Sequence, residues 1–440
     1  MRDLLVALVV FGSLPFSLFR PHYGIMLYAW IGLMNPHRLS WRMADAPVGL
    51  AAALATMLGT VFTGQVRSIP FRSTTWLLIL FAAYTTFTTY TALSGADAWV
   101  EWNRFVRILA MCLVAMMLLQ ERKRLEMFLF VCMASIAFFG VKGGFFSLAT
   151  AGQYRVWGPV GTFIEGNNEL ALAELMILPL LLYFAHRARV GWKRLALWVA
   201  IFLTMLSILF SYSRGAFIGF AGLAIVMIMR SRYRIPAILM AVLLVVLILA
   251  LAPTEWTARM FSIGEYEQDE SAMGRINAWT FAYNLATDRI FGGGFRTFTK
   301  EWFMVYAPDP LDVHDAHSIY FEVLGEQGFP GLFIFLAILG TTLWRLERLR
   351  RRGAGAAERV WYSDLAEMLQ FSLIAYGLGG AFLGLAYFDL PYYLIVGSIM
   401  LEFVVEREEA ERLHAEAEPR AGTDGSLAPA GSTPIAPGGG

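Results

Sequence analysis

Six ionisable side chains crowd the stretch "DVHDAHSIYFEVLGEQGFPG", residues 312–331, immediately before an apolar run. They are Asp312, His314, Asp315, His317, Glu322 and Glu326. Gly328, Pro330 and Gly331 break helical backbone, which predicts an amphipathic outer helix over about 317–327 and a spanning helix from 329. His317 then stands near a helix N-terminus, where the dipole disfavours the imidazolium and leaves a neutral ring able to accept a proton. Three chemistries fit: a polar loop, a metal site built from Asp312, His314, Asp315 and His317, or a general base at His317. No familiar metal-ligand spacing is present, and residue types alone leave these readings open. Glu322 and Glu326 lie four apart on one face and are expected to face water.

Single arginines are the second unusual feature. Arg214 lies in "SYSRGAF", between two apolar runs, with no acidic neighbour in sequence. Arg275 opens "GRINAWTFAYNLATDRIFGGGF", where Ala278, Trp279, Ala282, Tyr283 and Ala286 form a helical stripe. Arg104, Arg107 and Arg155 stand at other segment edges, where a snorkelling anchor or helix-end ion pair is the simpler reading. Guanidinium groups beside a cavity suit phosphate or pyrophosphate, because the planar fork grips oxyanions bidentately and stays charged.

The elements that must position these groups are apolar. The chain has 440 residues, 58% hydrophobic and 16% charged, with a mean hydropathy of +0.57. That composition excludes an ordinary soluble domain and implies an all-α polytopic membrane protein. Runs of spanning length lie near 48–65, 74–93, 104–120, 125–149, 169–186, 194–212, 215–230, 235–252, 329–345, 365–386 and 390–405. Residues 3–34 hold one or two more, read as a retained first segment with 23–34 partly inserted, so about 12 spans are expected. Cys112 and Cys132 fall inside apolar runs and read as small core residues.

Loop charge sets the orientation. Arg67, Arg72, Arg122, Lys123, Arg124, Arg187, Arg189, Lys193, Arg194, Arg230, Arg232 and Arg234 all fall on one side, with Arg345, Arg348, Arg350, Arg351, Arg352 and Arg359. The positive-inside rule makes that side the cytoplasm. The expected organisation is 1–252 as N-terminal and central spans, 253–328 as an outer loop with short amphipathic helices, and 329–405 as C-terminal spans. Residues 406–440 read as a cytoplasmic tail, helical at first and then Gly/Pro/Ser-rich.

These motifs resemble the O-antigen ligase family of bacterial inner-membrane proteins, which also holds O-antigen polymerases and protein O-oligosaccharyltransferases. "SYSRGAF" is similar to its Ser-Arg-Gly/Ala turn, and "TFIEGNNELALAELMILPL", with Asn168, to its Asn-containing stretch. "GRINAW…DRIFGGGF…HSIYFEVLGEQGFPGLF" resembles its C-terminal signature of Arg, Trp, glycine turn, His and E-x-G-x-x-G. "FRPHYGIMLYAWIGLMNPHRLSW" is similar to a subgroup of exosortase-associated O-glycosylation ligases. One departure stands out: His317-Ser318 occupies the place of His-Asn, and Ser318 is expected to cap the outer helix.

The resemblance implies a periplasm-facing site with His317 as catalytic base and Arg214 and Arg275 on the donor pyrophosphate. Arg155, Asn168, Arg104, His314 and Asp389 are carried as substrate-binding candidates, Asp389 as a group that could orient His317 or an arginine. The donor implied is a glycan on undecaprenyl pyrophosphate, and the acceptor a hydroxyl of lipid A–core, a protein or a growing glycan. Membrane lipids are the surroundings, nucleic acid is no partner, and neither metal nor cofactor is required. From another class, a transporter or flippase of lipid-linked polyanions would also want outward arginines, but with polar residues through the middle of several spans.

Overall fold

The computed structural model describes residues 2–40, 42–251, 253–261, 270–353 and 360–417. Among them, every regular element is an α-helix. Three helices open the chain: α1 (Arg2–Phe19), α2 (Pro21–Met34) and α3 (Val48–Phe62). α2 starts on Pro21, whose missing N–H costs nothing there, and ends on Asn35 at φ 49°. α4 (Ser73–Tyr90), α5 (Gly95–Leu118) and α6 (Arg122–Ala149) follow, then α7 (Asn167–Arg187) and α8 (Gly191–Leu209).

α7 is the centre of the bundle. Its residues are apolar nearly all round, the pattern of a helix enclosed by others, and it packs on α6 and α8. Next come α9 (Arg214–Arg230), which also packs on α7, and α10 (Arg234–Leu251). α8 approaches α6 closely because Gly140, Gly143 and Gly144 present no side chain to Thr204, Ser207 and the Leu203 backbone. Small residues at such spacing let membrane helices touch through their backbones.

The segment expected to carry the chemistry folds into α11 (Thr254–Phe261), α12 (Glu270–Asp288) and α13 (Lys300–Tyr306). α14 (Ile319–Gly353) then runs to the far side of the bundle, followed by α15 (Val360–Gly379) and α16 (Asp389–Ala417). Among the described residues, four helices, α6, α7, α8 and α14, are long and apolar enough to cross a membrane, and shorter apolar helices accompany them. Residues 262–269, 354–359 with Arg359, and the end of the tail from 418 lie outside the described residues.

One expected boundary moves and another holds. The apolar run 365–386 is not one helix: α15 stops at Gly379, and 380–388 forms a turn before α16. Glycines 377, 379, 380 and 384 crowd that stretch and do not favour continued helix. α14 breaks at Gly328, whose φ of 67° and ψ of −171° lie outside helical space. That break falls where the sequence places it.

The basic loops meet at one end. Arg345 Nε donates to Glu402 Oε2 at 2.8 Å, Arg352 pairs with Glu409 at 3.0 Å, and Arg72 pairs with Glu406. Arg230 lies 3.6 Å from Glu347, and Arg122 stacks on Trp361 at 4.0 Å. Arg67 and Arg124 both reach Glu121. The loops read as one side therefore do share a face, tied by their own ion pairs, and the His317 segment lies at the opposite helix ends.

Candidate functional site

His317 sits just before α14 with φ 42°, a left-handed conformation uncommon for a side chain with a Cβ. Such backbone persists only where surrounding contacts over-determine it, and here they are explicit. On α12, Asn277 Nδ2 donates to the carbonyls of Asp309 and Asp312, each at 2.8 Å, and its Oδ1 accepts from Asp309 N at 2.9 Å. Trp279 Nε1 donates to Ala316 O at 2.8 Å, with its ring stacked on Phe321 at 4.9 Å. Beyond the histidine, Ile319 N donates to Gly380 O at 2.8 Å. α12, α14 and the turn after α15 thus clamp the segment on both sides.

The break in α14 is completed by the glycine-rich turn. Gly328 interrupts the helix and strips nearby carbonyls of their helical donors. Gly293 N donates to Gly325 O at 2.9 Å and Gly294 N to Glu326 O at 2.7 Å, replacing them. Gly292 and Gly294 both take φ 78°, which explains glycine at those positions. Tyr84 Oη caps Gln327 O at 2.8 Å from α4.

A cavity of about 790 Å³ opens at this end of the bundle, with His317 on its wall. Glu101, Arg104, Glu169, Arg296, Glu322 and Glu326 line it with aromatic rings. Glu169 Oε1 stands 3.8 Å from His317 Nδ1. Burial first, and then the nearby charge of Arg275, pushes the His317 pKa below the ordinary histidine value. Both effects disfavour the imidazolium, the direction expected from sequence, but through burial and a guanidinium.

Glu322 and Glu326 do not face water. Glu326 is only 6% exposed, and its Oε1 accepts from Arg296 N at 2.8 Å. Glu322 Oε2 accepts from Ala386 N at 3.1 Å. Their shared face meets the 292–298 and 380–388 turns, a burial that no local periodicity reveals. Ser318 is buried with its Oγ unbonded, so it caps α14 only through its carbonyl, which accepts from Glu322 N at 2.8 Å.

The other candidates distribute as follows. Neither Arg214 nor Arg275 is among the described residues lining the His317 cavity. The charge of Arg275 acts on both His317 and Glu169. Arg214 opens α9 beside the turn after α15: a Cβ on Gly215 would lie 2.9 Å from Phe382 Cβ, and one on Gly384 3.8 Å from His317 Cα. Arg104 lies on the cavity wall, its guanidinium 3.3 Å above the Phe163 ring.

Arg104 also faces a second cavity of about 430 Å³, shared with Arg38, Arg107 and Asp389. Asp389 accepts from Tyr393 Oη at 3.1 Å there, so Glu169 and not Asp389 is the carboxylate beside His317. Arg155 is exposed on another side, 5.8 Å from the Tyr212 ring. His314 pairs with Asp312 at 2.7 Å, and Asn168 stands at the start of α7 next to Glu169.

Glu169, Asn277 and Arg296 were not marked by sequence reasoning. Glu169 carries a weak signal, since it sits in the same Asn-containing stretch as Asn168. Arg296 pairs with Glu101 at 3.0 Å and itself adopts φ 60°.

The segment 199–336, from α8 through the break in α14, matches the family model described as O-antigen ligase. Residues 199–336 belong to the O-antigen ligase family. That O-antigen ligase domain contains Arg214, Arg275, Trp279, the glycine turn, His317 and both buried glutamates. Residues 1–189 match a family of unknown function, DUF5935, and they bring Glu101, Arg104 and Glu169 to the cavity. No curated protein matches the chain. The remaining wall, at 384–387, comes from beyond the ligase domain, so the cavity is assembled from three stretches of sequence.

Proposed function

We propose that this chain is a lipid-linked glycan transferase of the inner membrane, with about twelve spans and its site open to the periplasm. The glycan comes from undecaprenyl pyrophosphate and passes to a hydroxyl of lipid A–core. The observation that carries this reading is the pair His317–Glu169 on the wall of a roomy polar cavity, in a chain whose segment 199–336 belongs to the O-antigen ligase family. A sugar hydroxyl is a poor nucleophile, and a positioned neutral imidazole is worth ~10²–10⁴-fold through general base action.

In this proposal His317 takes the acceptor hydroxyl proton on Nε2, since Nδ1 faces Glu169. The acceptor oxygen bonds to the anomeric carbon as the carbon–phosphate oxygen bond breaks, and lipid pyrophosphate leaves with the electron pair. Displacement in one step inverts the anomeric centre. Glu169 stabilises the imidazolium formed, much as a buried carboxylate does beside a catalytic histidine elsewhere. Arg214 and Arg275 receive the pyrophosphate charge, and a contact of that kind is worth ~3 kcal/mol at the transition state. Arg104, Asn168 and Asp389 border the substrates.

The N-terminal similarity to exosortase-associated ligases keeps a second acceptor in view, a protein hydroxyl in place of lipid A–core. Purified protein in liposomes, given undecaprenyl-pyrophosphate glycan and both acceptors, decides between them. Transfer to lipid A–core is expected. Transfer to protein alone moves the acceptor assignment, and a chain that carries the intact donor across the bilayer without transfer is a flippase.

A further inference from the structure

The second cavity, of about 430 Å³, gathers three guanidinium groups, those of Arg38, Arg104 and Arg107. Two carboxylates share its wall, and both are engaged: Glu101 with Arg296 at 3.0 Å, and Asp389 with the Tyr393 hydroxyl at 3.1 Å. The arginines are held more loosely. Arg38 meets Asp45 at 3.3 Å, a carboxylate 94% exposed to water, and pairs of that kind are weak. Arg107 Nε donates to Asn103 O one turn back in its own helix, and Arg104 lies over the Phe163 ring. Neither contact neutralises a charge. His37 faces the same space, and its Nδ1 is buried without a hydrogen-bond partner among the described residues. Buried polar atoms are normally satisfied, and an oxyanion would answer the imidazole and the guanidinium groups together.

Position matters as much as charge. The second cavity adjoins the His317 cavity, because Glu101, Arg104 and Phe163 line both. The turn after α15 passes three places in order. Phe382 packs at the Arg214 end of α9, where a Cβ on Gly215 would lie 2.9 Å from its own; a Cβ on Gly384 would lie 3.8 Å from His317 Cα; and Asp389 faces Gly32 in the second cavity. Arg214 and the three-arginine cavity therefore lie towards opposite ends of a turn whose middle touches His317. Apolar side chains complete the cavity, and two of them, Leu50 on α3 and Val100 on α5, are exposed. We propose that this cavity binds a phosphate group of the lipid acceptor, so that the acceptor is selected by its phosphate while its hydroxyl reaches His317. This rests on the transferase reading and adds an acceptor subsite to it. Guanidinium forks match phosphate oxygens, and the exposed apolar edge suits the lipid that carries the phosphate.

The test uses the full chain in liposomes, one undecaprenyl-pyrophosphate donor, and lipid A–core either native or stripped of its phosphates by phosphatase. Transfer is read with donor present, and the rise in melting temperature with each lipid, or with inorganic phosphate, is read without donor. Stripping is expected to raise acceptor KM at least ~10-fold with little change in kcat, the scale of losing charge-assisted hydrogen bonds. Arg38 and Arg107 are exposed, so Arg38→Gln and Arg107→Gln should fold normally. Each should raise KM for the native acceptor several-fold, narrow its advantage over the stripped one, and leave donor KM unchanged. Equal use of both acceptors by the parent protein overturns the proposal. So do variants that change donor KM instead, which would hand these arginines to the donor pyrophosphate, and variants with unchanged kinetics, which would make them membrane anchors. A melting-temperature rise with inorganic phosphate but no difference between the two lipids also overturns it, in favour of a free-anion site. If native lipid stabilises the protein more than stripped lipid while no glycan moves, the phosphate site stands and the transferase reading falls.

Discussion

Glu169 Oε1 lies 3.8 Å from Nδ1 of His317, although 148 positions separate the two residues in sequence and they belong to different matched segments. This pair joins the N-terminal half of the chain to the O-antigen ligase domain at the point where the proposed mechanism moves a proton. A carboxylate there gains importance as the imidazole becomes charged, because their attraction exists only in the protonated state.

His317→Ala is expected to leave the protein inserted and folded while lowering transfer by ~10²-fold or more, as loss of a general base does. Glu169→Gln should act through kcat, with a loss of about tenfold or more and little change in donor KM. Single-turnover transfer with saturating donor measures both. Parental rates for His317→Ala would dismiss the general-base role.

The acid limb of the pH–rate profile should lie below the ordinary histidine value of 6.5, because burial and the Arg275 charge lower the His317 pKa. The sign follows directly: both effects penalise the imidazolium, so the base form persists to lower pH before activity falls. Arg275→Gln removes one of the two causes, and the limb of its residual activity should move upward. A limb that stays in place, or moves down, means that Arg275 does not govern this titration.

Asn277→Ala removes three hydrogen bonds to Asp309 and Asp312, of which one is donated by Asp309 N to the side-chain oxygen. At about 1 kcal/mol net for each such bond, the 307–316 segment should loosen by ~1–3 kcal/mol. Faster proteolytic cleavage within that segment, with kcat falling before the global melting temperature does, is the expected pattern. Unaltered cleavage would remove Asn277 from the clamp.

Gly328→Ala should be costly out of proportion to one methyl. The position takes φ 67°, and its missing side chain faces the backbone of Ile290, Phe291 and Gly292. With ψ at −171° this is a region essentially confined to glycine, which costs ~1–3 kcal/mol for a residue with a Cβ before the clash is counted. A lowered melting temperature and lost transfer are expected together, and Gly340→Ala, in open space on the same helix, serves as control.

Arg214→Ala and Arg275→Ala should each reduce transfer by ~10²-fold, the scale of losing one charge-stabilising contact. Lysine at either position should restore only part of it, since an ammonium cannot reproduce the bidentate fork. Chelator-treated protein should keep full activity, because guanidinium groups meet the pyrophosphate charge in this mechanism. Activity lost with chelator and restored by one divalent ion would reverse that expectation.

Much was legible along the chain because it depends on near neighbours. Hydropathy marked the helical runs, the loop arginines grouped one face, and Gly328 with Pro330 and Gly331 announced the break in α14. His317 could be singled out because ionisable groups are rare beside apolar helices. Tertiary structure decided what local pattern does not encode: that Glu169 rather than Asp389 stands beside His317, that Glu322 and Glu326 turn inward, and that 380–388 leaves the helix to wall a cavity. Periodicity tells which face of a helix is polar. Only the packing of distant helices tells whether that face meets solvent, another carboxylate or the rim of a site.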